Sequence, residues 1–416
     1  MPMLLKRRST HCRVVKLVGA ALLWSLALPV SAATQELWAV FAPDSQNPLN
    51  NKFTNKTEQS GVCPWHIPAR CEQLGIFSIR TRDITFSSNA PMLFNPTGPA
   101  DPRRSVMYKL PSEWRRLEVV SETGERETVE VRIAGIGGGA TVGRPATWTA
   151  WGPRNWNYAP LPCLGTNYLI GDSQSVLWFW LVPEGAGACN LVLQMDVPSV
   201  DYFQLEYAYE LKTPNPLTMG VGTYRGSIAY SVGPNQDFDF GDIMIPSDNT
   251  LVFNFKLDVV HILKIDIPPG GNNVELVPQG GWQAWLNRGR KPTRLFRDQT
   301  VNVFASSRFK MQLDCQYAEA DNTCRIVDSV SGESVPVNVS VTLPHGITDE
   351  AGRPVNRRPL RRDGVGTELF QPTQYVDRKP STLHFEIERD EVEKMLKVGE
   401  SRTYSGNVTV IWDSEV

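Results

Sequence analysis

Apolar and polar residues alternate along most of this chain in short runs. Gly75–Arg82, Thr128–Ile133, Ser175–Val182, Tyr202–Leu211 and Val335–Leu343 each place apolar side chains on every second position, with turn residues between the runs. Period-two alternation marks half-buried β-strands. Many such strands at short spacing predict an all-β chain, more in keeping with sandwiches than with a barrel. The clearest run is Leu251 to Ile267, with Leu251, Phe253, Phe255, Leu257, Val259, His261, Leu263, Ile265 and Ile267 in one phase and Asn254, Lys256, Asp258, Lys264 and Asp266 in the other. Strands usually hold about 5–6 residues, so this one is expected to bend or bulge near Val259-Val260, where the polar phase lapses. One helix is predicted, Arg389 to Lys397, acidic at its start, with a late lysine and Gly399 as the stop.

A short pattern occurs twice. Gly222-Thr-Tyr-Arg-Gly-Ser-Ile-Ala-Tyr230 and Arg402-Thr-Tyr-Ser-Gly-Asn-Val-Thr-Val410 share T-Y-x-G-x-[I/V]-x-[Y/V], with Tyr224, Ile228, Tyr230 and Val232, then Tyr404, Val408, Val410 and Trp412, in the apolar phase. A repeat so widely spaced implies two domains, each closed by the same kind of strand. The polar stretch Pro246-Ser-Asp-Asn249 places the boundary there, giving domains 33–245 and 246–416.

Residues 1–32 read as a secretory signal peptide: Lys6, Arg7, Arg8, Arg13 and Lys16, an apolar run Leu17–Val30, and small residues for cleavage at Val30-Ser31-Ala32. The apolar run falls short of the about 20 residues of a bilayer span. Without this segment 384 residues remain, carrying 37 basic against 44 acidic side chains, a net charge of −7. That argues against nucleic acid as a partner. Seven cysteines become six, spaced as Cys63/Cys71, Cys163/Cys189 and Cys315/Cys324. In an exported chain an even count points to disulfides, here taken in sequential pairs because each can close a loop within its own domain. Cys63-x-x-His66 with Cys71 is the nearest approach to a zinc pattern and is a poor one; no metal or cofactor is expected.

Candidate chemistry is sparse. Gly171-Asp-Ser173 and Asp258-Val-Val-His261 superficially match the serine and D-x-x-H elements of one esterase class, but they fall in different expected domains, and His261 reads as a core residue. Gly135-Ile-Gly-Gly-Gly139 lacks a following Lys-Ser/Thr and a helix, so a flexible loop or bulged hairpin is expected rather than a phosphate cradle. No catalytic residue is assigned. Between Thr147 and Tyr158 the aromatics Trp148, Trp151, Trp156 and Tyr158 alternate with Gly152, Pro153, Arg154 and Asn155. Aromatics beside Arg and Asn suit stacking on sugar rings. Trp148 reads as core; Trp151, Trp156, Tyr158 and Arg154 are receptor candidates. Arg103-Arg104 and Arg115-Arg116 could add charge for an anionic glycan, or be solvated faces.

Residues from about Leu251 to Trp412 resemble the pilin domain of tip adhesins from alternate chaperone–usher pili, the CblD-like pilus biogenesis initiators and colonisation-factor adhesins. The matching pieces are Asp266-Ile-Pro-Pro-Gly-Gly271, Val274-Glu-Leu-Val-Pro-Gln-Gly-Gly-Trp282, Ser306-Ser-Arg-Phe-Lys-Met-Gln-Leu-Asp-Cys315 and Tyr404-Ser-Gly-Asn-Val408. The first domain is matched mainly by its position, its terminal strand and its signal peptide. The resemblance implies two tandem immunoglobulin-like β-sandwiches, an adhesin and an incomplete pilin. The pilin's missing strand would come from a periplasmic chaperone and then from the next pilin subunit, along a groove walled by Tyr404, Val408, Val410 and Trp412. It also implies an outer-membrane usher, a major pilin subunit and a host cell-surface glycoconjugate as partners, export through the periplasm, and a place at the pilus tip as assembly initiator. The family's basic receptor residues include an arginine doublet before the adhesin's last strand. Thr213–Gly222 has no arginine at that place, so that site does not carry over. Two other readings fit the composition: a secreted carbohydrate-binding protein or glycan-active enzyme of two β-sandwiches, and a structural tip cap without a receptor.

Overall fold

The computed structural model describes residues 32–95, 101–152, 155–289, 291–397 and 401–414. The expected export signal lies, apart from Ala32, outside the described residues. The chain is all-β, with a few short helices, and its apolar side chains form two large cores, one from Ala33 to Val259 and one from Leu295 to Val392. No helix among the described residues is long and apolar enough to cross a membrane. Three disulfides, Cys63–Cys71, Cys163–Cys189 and Cys315–Cys324, close in the sequential order expected.

The first core is enclosed by β1 (Ala33–Phe41), β2 (Ile76–Thr81), β3 (Arg115–Ser121), β4 (Arg126–Val142), β5 (Leu164–Gly171), β6 (Ser175–Leu181), β7 (Val200–Lys212), β8 (Gly222–Ser231) and β9 (Thr250–Val259). The expected strands at 75–82, 175–182 and 202–211 correspond to β2, β6 and β7. β4 pairs with β7 along one edge. Along the other it pairs first with β3, through Arg126–Val131, and then with β6, through Gly135–Thr141. Two successive partners on one edge curl the sheet around its core.

The glycine run lies inside β4, where a flexible loop or bulged hairpin was expected. A Cβ on Gly137 would meet the Trp178 carbonyl oxygen at 2.2 Å, and one on Gly138 would meet that of Gln204 at 2.2 Å. The pairing of β4 with β7 shifts register between Tyr202 and Gln204. The glycines allow neighbouring backbones this close approach. Gly137→Ala should destabilise the protein by about 1–3 kcal/mol, the usual cost of overpacking, read as a lower urea midpoint in the unit's tryptophan fluorescence.

The long alternating run beyond the expected boundary at Pro246 is divided between sheets. Leu251 to Ile267 is two strands in two sheets. β9 pairs antiparallel with β8 from Thr250↔Ser231 to Val259↔Gly222, and parallel with β1 from Leu251↔Ala33 to Val259↔Phe41. Its inward residues Leu251, Phe253, Phe255, Leu257 and Val259 are all buried in the first core. Burial of one such side chain contributes about 1.5–3 kcal/mol, which holds this segment to the first unit. The lapse of alternation at Val259-Val260 marks the passage to the second sheet system.

His261 stands in that passage rather than in a core. Its Nε2 lies 3.0 Å from the Met219 carbonyl oxygen and its Nδ1 3.1 Å from Ser306 Oγ, and Phe41 meets its ring edge-on. Burial lowers its pKa, Arg308 adds to this, and the Met219 and Pro216 carbonyls and Glu125 oppose it. A histidine with a depressed folded-state pKa binds fewer protons folded than unfolded, so its contribution to stability is lost as pH falls below about 6.5. His66 is also lowered and contributes in the same direction. Urea midpoints should therefore fall from pH 7 to pH 5.5, and His261→Gln should reduce that slope. An unchanged slope would contradict the assignment to His261.

The second unit consists of β10 (Leu263–Asp266), β11 (Leu295–Ala305), β12 (Phe309–Cys315), β13 (Cys324–Asp328), β14 (Ser334–Thr342), β15 (Phe370–Pro372), β16 (Val376–Ile387) and β17 (Val408–Ser414). One sheet runs β10-β11-β16-β14-β13 and ends on Tyr404–Ser405; the other runs Ile347–Asp349, β15, β12, β17. The expected helix is present as Arg389–Met395, before the last strands.

Candidate functional site

The two copies of the repeated pattern meet different surroundings. In the first unit β8 has a neighbour on each edge, β3 and β9, and β9 in turn touches β1. In the second unit β17 pairs only with β12, and β10 pairs only with β11. Among the described residues no strand lies on the other edge of either. Among the described residues, no counterpart of β9 lies beside β17.

The side chains agree with the backbone. Tyr224 and Tyr230 of β8 are fully buried. Val408, Val410 and Trp412 of β17, with Leu263 and Ile265 of β10, are only partly buried, although all five pack on the second core. Trp412 lies over Phe309, ring centroids 5.6 Å apart. Two unpaired edges therefore flank half-covered apolar residues that share one core. Such an edge invites pairing with another chain, and an extended segment with apolar residues at every second position would meet both the hydrogen-bonding groups and the apolar floor. Tyr404 belongs to a separate short strand on β13, with Gly406 and Asn407 between it and β17. Sequence reasoning missed Leu263 and Ile265 as half-covered residues beside an unpaired edge, because Leu251–Ile267 was read as one strand.

The receptor candidates scatter. Trp151 and Trp156 are buried and pack with Trp148, Trp178, Trp180 and Tyr108 in one aromatic cluster. Trp180 Nε1 donates to the Trp156 carbonyl at 2.6 Å. Their rings serve the core, which corrects the expectation of a stacking surface there. Tyr158 is exposed; Arg154 lies outside the described residues.

Arg103 binds both carboxylate oxygens of Asp239, at 2.9 and 3.1 Å, and Asp242 at 2.7 Å. The hydrogen bonds to Asp239 hold its guanidinium pKa above the ordinary value. Arg115 pairs with Asp237 and lies 5.0 Å from the centre of the Tyr230 ring. The segment 237–242 thus anchors both doublets and neutralises one member of each. Arg116, 78% exposed, pairs with Glu130, and Arg104 faces solvent. Asp258 accepts from Trp38 Nε1 and Thr223 Oγ1, each at 2.7 Å. Asp258 is thus held within the first unit, while His261, between Met219 and Ser306, stands at the junction between the units.

No protein-family model and no curated protein matches the chain. Solved structures similar to it include a chaperone–tip adhesin complex of CFA/I fimbriae biogenesis, with 10% identity, a TM-score of 0.26, and coverage of 92% of this chain and 97% of that one. CfaE, the adhesive subunit of CFA/I fimbria of enterotoxigenic Escherichia coli, gives 10%, 0.26, 92% and 95%. The CsuC–CsuE chaperone–tip adhesion subunit pre-assembly complex from archaic chaperone-usher Csu pili of Acinetobacter baumannii gives 10%, 0.22, 92% and 98%. Likeness at this level assigns no function.

Proposed function

We propose that this chain is the tip adhesin and assembly initiator of a chaperone–usher pilus. The second unit accepts a strand from a periplasmic chaperone and then from the next pilin subunit, an outer-membrane usher passes the complex to the cell surface, and the first unit engages a host glycoconjugate. One observation carries this reading: β17 and β10 each keep an unpaired edge beside half-covered core residues, while the first unit fills the matching position with its own β9. Residues 33–259, which precede the open unit, are themselves folded into a closed one, so this stretch is not an extension free to complete a neighbour. That suits a subunit at the end of a polymer.

The test titrates the full chain with a synthetic peptide from the amino-terminus of the major subunit encoded beside it. A stoichiometric complex is expected, and the second unit should be stabilised by about 4 kcal/mol when free peptide exceeds Kd a thousandfold. A protein that stays monomeric and stable without a partner, and is indifferent to the peptide, would sink the proposal.

A further inference from the structure

The most exposed indole of the first unit is held in place by a buried ion pair. Trp65, 58% exposed, ends a one-turn helix, Val62–Trp65. The Arg80 guanidinium lies 5.0 Å from the centre of its ring. Arg80 Nε donates to Glu206 Oε2 at 2.7 Å, with the two side chains 16% and 0% exposed. Arg80 and Glu206 face each other across the β2–β7 ladder. The other Glu206 oxygen accepts from the Val62 backbone N–H at the start of the helix.

Further contacts fix the same loop. The Cys63 N–H donates to Ser78 Oγ at 2.9 Å, and Cys63 is disulfide-bonded to Cys71. Gly61 has φ 86°, and a Cβ there would overlap the Glu206 carboxylate. His66, next in the chain and exposed, packs on Tyr168 with centroids 4.3 Å apart and ring planes tilted by 31°, and Arg80 Nη2 lies 3.4 Å from the Tyr168 hydroxyl.

A buried ion pair is weak evidence for stability, because desolvation offsets its attraction. Here it positions one aromatic ring whose outer face is open to water. Preorganisation of that kind belongs to binding sites. Of its exposed neighbours in the chain, His66 and Arg70 are polar and Pro64 is small, whereas a stable protein interface needs about 800 Å² per partner. A lone indole with hydrogen-bonding neighbours matches the apolar C–H face and hydroxyl rim of one pyranose ring.

We propose that Trp65 is the stacking platform of a saccharide-binding site on the first unit, with His66 at its rim and Arg80 and Glu206 as positioning residues. The site takes a terminal neutral hexose with an unobstructed C–H face. This rests on the reading of the chain as an adhesin and gives its receptor end a location distinct from the Arg103–Arg116 region.

The experiment applies the full chain, Trp65→Ala and Trp65→Phe to an array of neutral and sialylated host oligosaccharides and to epithelial cells, with free galactose and glucose as competitors. Trp65→Ala is expected to lose at least tenfold in saccharide binding and in cell adhesion, Trp65→Phe only a few-fold, and both should keep the parental far-ultraviolet dichroism and unfolding midpoint. Arg80→Lys, which keeps the charge but not the fork, should lie between them. Undiminished binding by Trp65→Ala overturns the site while leaving adhesion in place. Loss of cell adhesion that no saccharide competes with overturns the ligand class. A parent protein that adheres to nothing overturns the adhesin reading itself.

Discussion

Val410→Asp should abolish strand acceptance while leaving the unliganded protein folded. Val410 lies opposite Leu313 of β12 and is only partly covered while the edge of β17 is free. In the free protein an aspartate there keeps water on one side. A seated strand would remove that water, and a carboxylate enclosed in an apolar cleft without a partner costs several kcal/mol. The expected loss in peptide affinity is at least a hundredfold, about 2.8 kcal/mol at 1.4 kcal/mol per factor of ten. Cells carrying the variant should lack pili. Thr409→Asp is the control: Thr409 points to solvent in the opposite phase, so the same charge one residue away should be tolerated. Equal loss in both variants, or in neither, would mean that the inner face of β17 is not the floor of the acceptor cleft.

Arg80→Met should destabilise the first unit by about 3–5 kcal/mol, the usual cost of removing one partner of a buried pair. Glu206 is fully enclosed, and burial already raises its pKa against the opposing pull of Arg80. Without Arg80 the carboxyl rises further. A carboxyl whose folded-state pKa exceeds its unfolded value near 4.3 takes up protons on folding, so its stabilisation is present at low pH and lost as pH rises through the folded value. The deficit of Arg80→Met should therefore be largest at pH 7 and shrink toward pH 5. Arg80→Met with Glu206→Gln should recover part of it, since no charge remains to be buried. Denaturation of the three variants at both pH values checks this; a pH-independent deficit would mean the loss is one of packing alone.

The architecture was legible because an all-β chain writes its strands in period two, as in β2, β6, β7 and β14, and because the helix before the last strands carries acidic residues at its start and a lysine in its last turn. The sequential disulfides were legible because each closes a local loop. Partnership between strands was not, since alternation shows that a segment has two faces without showing which sheet it joins. Leu251–Ile267 keeps one phase almost throughout, yet it changes sheets after Val259. The glycine run misled for a related reason. Glycine is the usual sign of a loop, but inside β4 it serves close backbone approach to Trp178 and Gln204. Trp151 and Trp156 sit in a sequence rich in Pro and Gly, but tertiary packing draws both indoles inward. The Trp65 platform depends on Arg80 and Glu206, which come near it only through the β2–β7 ladder. In the sequence only the short Cys63–Cys71 spacing around Trp65 hints at it.

The covalent link between the units is short, residues 260–262, and in the proposed pilus it would bear the load passed from a bound surface to a fibre. On one side of it, β9 is flanked by β1 along nine residues and β8 along ten. Tension directed along β9 would strain those pairings together in shear, instead of peeling them one at a time. On the other side β10 offers four residues and a single neighbour. Forced unfolding is governed by rates, so the tether should yield first at β10. In the proposed pilus, a strand docked beside β10 would then also set how hard the filament can be tugged.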